Sequence, residues 1–224
     1  MSAVTIEMLR QVAILSTLDD ATLESLLPLA RRHLYSQGRV IVCAGDPGNS
    51  LFFVMTGSVK VVLIAEDGRE VILSVLRPGT CFGEVALLDG EGHSACVFAM
   101  QDVTLLSVGA ENFRAWLAHS PDARLALLGE IAHRLRRAES TITGLVLLDV
   151  EGRLANLLLD LADQEQGDSI TRKLPHHTIA QLIGSSREAV SRTLGTMRAR
   201  NVIATNRGVI TLKDRPALAL AGRV

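Results

Sequence analysis

Residues 178–197 read TIAQLIGSSREAVSRTLGTM and predict two short helices joined by a tight turn at Gly184. Ser185, with Glu188 three residues later, is typical of a capping box at the start of the second helix. That helix then carries four apolar residues at the three- and four-residue spacing of one buried face, namely Ala189, Val190, Leu194 and Met197. The stretch therefore predicts a helix-turn-helix whose second helix keeps its other face free.

The free face of this helix is polar and basic. Its side chains are Ser186, Arg187, Glu188, Ser191 and Arg192. A helix-turn-helix presents the start of its second helix to the DNA major groove. There, arginine pairs with guanine through two hydrogen bonds, and glutamate accepts one from cytosine. A surface helix with a solvated charged face is the alternative that these residues alone leave open.

Charge is distributed unevenly along the chain. The net charge is −1, but residues 170–224 carry ten Lys or Arg against two acids, which leaves −9 on residues 1–169. A basic module attached to an acidic one is typical of a nucleic-acid binder with a separate regulatory part. The asymmetry favours double-stranded DNA as a partner.

Composition places the chain among globular proteins, with 48% hydrophobic and 21% charged residues over 224 positions. No apolar run reaches membrane-spanning length, so we expect no membrane partner. The first ten residues lack the basic and apolar regions of a secretory signal, so a cytoplasmic location is expected. The cysteines, Cys43, Cys81 and Cys96, are separated and lie in apolar contexts, which favours packing of buried thiols. No zinc, haem or iron–sulfur site is expected, because no further ligands accompany them.

The first half of the chain predicts short helices over residues 5–33 and then a β-rich region up to about Val108. Glycine-containing turns recur roughly every ten residues, and Asp67-Gly68 is the strongest hairpin signal. The strands predicted between these turns are Val40–Val42, Leu51–Met55, Ser58–Ile64 and Glu70–Leu76. Strands at this spacing favour a jelly-roll-like barrel or sandwich.

A long helix is predicted over residues 120–148, beginning at Ser120-Pro121. Apolar residues follow one another in an unbroken heptad pattern at Leu128, Ile131, Leu135, Ala138, Ile142 and Leu145. Such a stripe favours a two-helix seam and hence a parallel homodimer. A helix packed only on its own domain is the alternative.

The last part of the chain predicts a hinge at residues 149–152, a helix from Arg153 to about Gln164 and then the helix-turn-helix. A hairpin around Asn206-Arg207-Gly208 predicts a wing, and the final residues are expected to form a frayed tail. The predicted fold class is α+β, with an effector-sensing β-barrel domain over 1–119, a dimerisation helix over 120–148 and a winged helix-turn-helix domain over 149–224.

This order of elements resembles the CRP/FNR family of bacterial transcription regulators, whose members resemble the cyclic-AMP receptor protein. The motifs that carry the resemblance are GNSLFFVMTGSV (48–59), CFGEVALLDGEGHSACV (81–97), LDVEGRLA (148–155) and IAQLIGSSREAVSR (179–192). The resemblance implies a homodimer that reads a near-palindromic operator with TGTGA-like half-sites, acts as an activator and contacts RNA polymerase.

The resemblance also assigns roles to residues. Arg187, Glu188 and Arg192 match the base-reading positions, and Ser186 matches a phosphate contact. His176 falls where a basic residue often touches the DNA backbone, and Ser191 lies on the same face.

For the effector, Gly83 and Glu84 match residues that offer a backbone N–H and a ribose partner. Val85 begins the short segment after them, and Ser94 matches a phosphate-contacting hydroxyl. The family's cassette arginine falls on His93, and its adenine-contacting Thr-Ser pair falls on Ala138-Glu139. Both departures remove contacts to cyclic AMP, one to the phosphate and one to the base.

Three interpretations of this pocket stay open. It binds cyclic AMP or cyclic GMP with His93 protonated, it binds another effector such as a cyclic dinucleotide, or the protein is active without ligand. A cyclic-nucleotide-binding module without DNA function shares the barrel but not the basic segment. An enzyme is not expected, because His93-Ser94 should point to opposite faces and Glu84 has no partner carboxylate.

Overall fold

The computed structural model describes residues 4–223. Met1–Ala3 and Val224, which belong to the predicted first and last domains, lie outside the described residues. The chain divides into two compact units, one ending at Arg134 and the other beginning at Leu135.

In the described part of the first unit, the strands form two four-stranded antiparallel sheets with orders β1-β8-β3-β6 and β2-β7-β4-β5. Their bounds are β1 Ala30–Tyr35, β2 Val40–Val42, β3 Ser50–Thr56, β4 Val59–Ile64, β5 Glu70–Leu76, β6 Cys81–Phe82, β7 Cys96–Ala99 and β8 Val103–Gly109. Two such sheets packed face to face make the jelly roll that the spacing of strands and turns predicted.

Glycines close the tightest turns of this barrel. Asp67-Gly68 joins β4 to β5, and Gly68 has a φ of +80°. Gly57, also at φ +80°, follows β3, and a Cβ there would lie 2.4 Å from the carbonyl oxygen of Asp102. Only glycine combines a positive φ with that close approach of two backbones.

Helices cover one end of the first sheet. They are α1 Ile6–Arg10, α2 Asp20–Leu26, a 3-10 turn Leu27–Leu29, α3 Glu84–Asp89, α4 Ala110–Ala118 and the start of α5 Pro121–Leu147. Asp19 caps α2 by accepting from the N–H of Thr22 at 2.7 Å. Phe53 of β3 and Phe113 of α4 lie fully buried in the core between these helices and the sheet. A second core of valines and leucines fills the space between the two sheets.

The second unit contains the rest of α5, three further strands and four helices within the described residues. These are α6 Val150–Gln164, β9 Ser169–Ile170, α7 His176–Ile183, α8 Arg187–Ala199, β10 Ile203–Asn206, β11 Val209–Leu212 and α9 Arg215–Ala221. The strands form a sheet of order β10-β11-β9. One core, centred on Leu154 and Leu158 of α6, joins these elements.

Two predictions for this region were wrong. The hinge expected at residues 149–152 is mostly helical, because Asp149 caps α6 by accepting from the N–H of Gly152 at 2.8 Å. The frayed tail is instead helix α9, which Asp214 caps and which buries Leu218 in the core of the unit. A side-chain cap therefore begins each of these two helices.

No helix within residues 4–223 combines the length and the apolar character needed to cross a membrane.

The core of the second unit gives a direct stability prediction. Leu158 is fully buried, whereas Leu220, in the same unit, is 68% exposed. We expect Leu158→Ala to lower the free energy of unfolding by about 2–5 kcal/mol, since it leaves a cavity. Leu220→Ala, the matched control, should change it by less than about 0.5 kcal/mol. Urea unfolding followed by circular dichroism measures both, and equal losses would contradict the packing described.

Candidate functional site

The effector residues predicted in the first unit gather around the junction of β6 and α3. Gly83 links these elements in the left-handed conformation, with φ 91° and ψ −2°. A Cβ at Gly83 would lie 2.7 Å from the carbonyl oxygen of Ser50 and 3.4 Å from Cε1 of His93. Glycine is therefore required for the chain to turn against β3 and the His93 ring.

Glu84, the first residue of α3, is 3% exposed and forms an ion pair. Its Oε1 accepts a hydrogen bond from Nη1 of Arg134 at 2.6 Å, while its Oε2 is buried and has no hydrogen-bond partner within the described chain. Arg134 also contacts Oε1 of Glu130 at 2.8 Å and donates to the carbonyl oxygen of Cys81. One buried oxygen of the Glu84 carboxylate therefore has no hydrogen bond within the described chain.

Arg134 was not among the residues predicted from the sequence. Burial by itself lowers its pKa, but the nearby Glu84, Cys81 and Glu130 together raise it, so the guanidinium is charged. The Glu130-to-Arg134 spacing of four residues was a visible local signal. The contact with Glu84, fifty residues earlier in the chain, was not visible.

His93 is buried, and its surroundings favour the neutral ring. Burial lowers the pKa of His93, and the carboxylates of Asp46 and Glu84 offset part of that effect. The side chain occupies the position where the family's cassette has an arginine. Near pH 7 this position therefore holds a mainly neutral imidazole.

The other predicted effector residues are placed differently. Ser94 is exposed while its neighbour His93 is buried, so the two side chains point to opposite sides as expected. Val85 is 54% exposed on α3. Ala138 and Glu139 are exposed on α5 and belong to the second unit, so their role in effector binding stays a prediction.

The candidate DNA-reading helix is α8. Val190, Leu194 and Met197 are buried, as predicted, while Arg187 and Arg192 are exposed on the other side. The predicted capping box was wrong. Ser186, not Ser185, caps the helix by accepting from the N–H of Ala189 at 3.1 Å.

The physical reason for that shift lies in the turn before α8. Gly184 adopts the left-handed conformation, and the N–H of Ser185 donates to the carbonyl of Ala180 to close α7. The helix therefore begins one residue later, and Glu188 becomes the second helical residue, exposed beside Arg187.

Two further features surround the exposed face of α8. His176 begins α7 and its Nδ1 lies 2.6 Å from Oγ of Ser191, so these two predicted DNA contacts share a hydrogen bond. The wing between β10 and β11 turns at Arg207-Gly208, both at positive φ, which is typical of a type I′ hairpin. Nη1 of Arg198 reaches Oγ1 of Thr205 at 3.3 Å and joins α8 to the wing.

Arg153 of α6 fixes the helix-turn-helix to the end of α5. Its Nη1 donates to the carbonyl of Leu148 at 2.7 Å and its Nε to the carbonyl of Ile183 at 2.9 Å. These carbonyls end α5 and α7, where the last turns of a helix lack internal partners. Leu145 also lies against the turn, since a Cβ on Gly184 would be 3.0 Å from its Cδ2.

The predicted seam of α5 is apolar and mostly open to solvent. Leu128, Leu135 and Ile142 are each about 60% exposed, and Leu145 is 48% exposed. Ala138 is exposed as well, whereas Ile131 packs partly against the core of the first unit.

The cysteines differ from the prediction of isolated, buried thiols. Cys81 is buried and its pKa is raised to about 12, chiefly by burial, but Cys43 is exposed and lies beside Cys96. Within residues 4–223, no three His, Cys, Asp or Glu side chains come together as a metal site.

Comparison with known families covers both units. Residues 32–120 match the cyclic nucleotide-binding domain, and residues 152–221 match the Crp-like helix-turn-helix domain. The second match separates this chain from cyclic-nucleotide-binding modules without DNA function. Neither family is one of enzymes.

Similar proteins are transcription regulators. A CRP-like cAMP-activated global transcriptional regulator of Mycobacterium tuberculosis is 29% identical over 97% of this chain and 99% of its own length. The cAMP-activated global transcriptional regulator CRP of Pasteurella multocida is 32% identical over 84% of this chain and 92% of its own. The solved structure of FixK2 from Bradyrhizobium japonicum shares the fold, with a TM-score of 0.78 at 22% identity over 87% of this chain and 98% of its own. This chain belongs to the CRP/FNR family of transcriptional regulators and has a helix-turn-helix DNA-binding domain.

Proposed function

We propose that this regulator acts in the cytoplasm as a homodimer that reads a near-palindromic operator and activates transcription through contact with RNA polymerase. A cyclic nucleotide or a related small anion in the barrel controls it. The observation that carries the DNA-reading part is the exposed face of α8, where Arg187, Glu188 and Arg192 stand above a buried apolar face.

The chemistry of this face suits direct base recognition. The two arginines supply the forked donors that pair with guanine O6 and N7, and Glu188 supplies an acceptor for cytosine N4. Ser186 and His176 are exposed where α8 and α7 begin, and backbone N–H groups at such positions favour phosphate. In a two-fold dimer the two α8 helices would enter successive major grooves about 34–36 Å apart.

Arg187→Ala should weaken binding to a palindromic duplex with TGTGA-like half-sites by about 1–3 kcal/mol and relax preference at one base pair of each half-site. Fluorescence anisotropy on a panel of single-base-pair variants measures both effects. Arg200→Ala is the matched control, since Arg200 follows the other end of α8 and pairs with Glu151 at 2.5 Å. It should leave base preference unchanged.

A base-preference profile of Arg187→Ala that matches the wild-type profile would overturn the assignment. So would a wild-type protein that binds scrambled and palindromic duplexes equally.

The dimer rests on the open seam of α5. This helix face carries four large aliphatic side chains, each about half exposed or more. A second copy of the chain would cover that hydrophobic surface. The heptad spacing fits two parallel α5 helices packed with interlocking side chains.

Ile142→Asp should convert the dimer to a monomer at micromolar concentration, because it would bury an uncompensated charge in the seam. Thr143→Asp, which adds the same charge at the next and also exposed position, should leave the dimer intact. Sedimentation velocity distinguishes the two results. A wild-type monomer, or a dimer unaffected by Ile142→Asp, would exclude this seam.

The effector proposal rests on the cluster around Gly83. The buried, unpaired Oε2 of Glu84 is an acceptor that suits a sugar hydroxyl, and Arg134 holds the other oxygen in place. His93 lies beside Gly83 and can pair with a phosphate once it is protonated. These residues fit a cyclic nucleotide, with a weaker grip on phosphate than an arginine would give.

The pocket has two alternatives to a cyclic mononucleotide. A cyclic dinucleotide is a second candidate, and activity without ligand is a third, because Ala138-Glu139 lacks the hydroxyls of the family's adenine-contacting pair. Isothermal calorimetry with cyclic AMP, cyclic GMP and cyclic di-GMP separates these cases.

His93 gives this binding a pH dependence. Its pKa in the free protein lies below the usual value of about 6.5, and a bound phosphate favours the protonated ring. Affinity for cyclic AMP should therefore rise as pH falls through and below about 6.5. In His93→Arg, which is charged throughout, the affinity should be higher near neutral pH and no longer change over this range.

Calorimetry at several pH values measures the effect, and Ser94→Ala, which removes a predicted phosphate contact but keeps the imidazole, should retain the pH dependence. Wild-type affinity that does not change with pH would rule out His93 as the phosphate ligand. No binding of any of the three nucleotides would favour the ligand-free alternative.

A further inference from the structure

Cys43, the residue that follows β2, lies beside Cys96, the first residue of β7. In the antiparallel pairing of β2 with β7, Val42 is the partner of Val97, and continuing that register by one residue brings Cys43 opposite Cys96. Directly opposed residues of an antiparallel pair have Cα atoms about 4.5–5.5 Å apart, within the range of disulfides. No local sequence pattern indicates this proximity, because the two positions lie 53 residues apart in the chain.

Local contacts hold the two sulfur atoms together. The backbone N–H of Ala44 donates to Sγ of Cys96 at 3.2 Å. Burial, the charge of Asp46 and the thiol of Cys96 all raise the pKa of Cys43. Cys43 is exposed and Cys96 is half-buried, whereas Cys81 is buried elsewhere beside Arg134. One thiol of the pair is therefore open to reagents in solution, and the other is within its reach.

The turn that carries Cys43 is bonded to the backbone of His93. The N–H of Cys43 donates to Oδ2 of Asp46 at 2.7 Å, which closes the turn. The N–H of Gly45 then donates to the carbonyl of His93 at 2.8 Å, and the N–H of His93 donates to the carbonyl of Asp46 at 2.8 Å. Cys43 precedes these bonds by a few residues, and Cys96 follows His93 by three. A covalent link between the two cysteines would clamp the turn against His93.

We propose that Cys43 and Cys96 form a reversible intramolecular disulfide that responds to low-molecular-weight disulfides such as oxidised glutathione. The Cys43 thiol first loses its proton to solvent, and the resulting thiolate attacks one sulfur of the small disulfide, forming a mixed disulfide and releasing one small thiolate that takes up a proton. The thiolate of Cys96 then attacks Sγ of Cys43 and releases the second small thiol. Two protein thiols are oxidised, one small disulfide is reduced to two thiols, and an excess of thiol reverses both steps.

The Cys43–Cys96 disulfide would reduce the mobility of the barrel around His93. Holding the turn against His93 restricts local opening of the backbone bonds that position its ring. This part rests on the proposed effector site, since a pre-organised His93 would bind an anion with less loss of freedom. Through the Cys43–Cys96 disulfide, the thiol redox state would then change the affinity of the proposed effector site. The protonated Cys43 thiol reacts slowly, so oxidation should accelerate as pH rises.

The first experiment counts thiols in the full-length protein. Reduced protein, denatured and alkylated, should take up three labels, one for each cysteine. After incubation with oxidised glutathione it should take up one label, on Cys81, and peptide mapping should find residues 43 and 96 linked. Cys43→Ser and Cys96→Ser should form no linked peptide. Three labels after prolonged incubation, a link between chains or a link through Cys81 would overturn the proposal.

The second experiment measures the clamp. Hydrogen exchange at the amides of Gly45 and His93 should be slower in the oxidised protein than in the reduced protein by about tenfold or more. The difference should vanish in Cys43→Ser, and equal rates in both wild-type forms would exclude the clamp. The oxidised form should also bind cyclic AMP several-fold more tightly. If neither form binds cyclic AMP, the effector proposal fails, but thiol counting and hydrogen exchange still show whether the disulfide forms. If the oxidised and reduced forms bind cyclic AMP equally, the disulfide has no effect on the pocket.

Discussion

The ion pair between Glu84 and Arg134 is the contact on which the effector half of the molecule depends. A carboxylate that is 3% exposed is costly unless a cation and hydrogen bonds compensate it. Arg134 provides that cation, and its remaining donors reach Glu130 and the carbonyl of Cys81. The pair joins the junction of β6 and α3 to α5, the helix that carries the predicted seam.

The far end of α5 has a comparable anchor. Arg153 binds the carbonyls that follow α5 and end α7, and Leu145 packs against the left-handed Gly184 between α7 and α8. A displacement of this end of α5 would therefore displace the turn at Gly184, which precedes α8. Between the two anchors, the large apolar side chains of α5 are mostly exposed, and a second copy of the chain is the partner that we propose for them, because their heptad spacing would match its own.

The pocket differs from a standard cyclic-AMP site in the kind of phosphate partner it offers. An arginine keeps its charge at all physiological pH values, but His93 loses its charge through burial. The anion contact proposed for His93 would therefore depend on what protonates or positions the imidazole. The turn from Cys43 to Asp46 is bonded to the backbone of His93 on both sides, which makes this turn the segment that positions the ring.

Most of the local elements could be predicted from sequence, because strand alternation, glycine turns and helical spacing are short-range properties. The sequence located β2 to β5, the extent of α5 and the buried face of α8, and its motifs identified the family. Its errors were also local: Ser186 took the cap from Ser185 because the turn at Gly184 used one more residue, and Asp149 and Asp214 ordered a hinge and a tail. Only the tertiary structure decided that Arg134 meets Glu84, that Arg153 closes two helices and that Cys43 faces Cys96. Each of these contacts joins residues far apart in the chain, and such proximity depends on how the strands and helices pack, which no local pattern records.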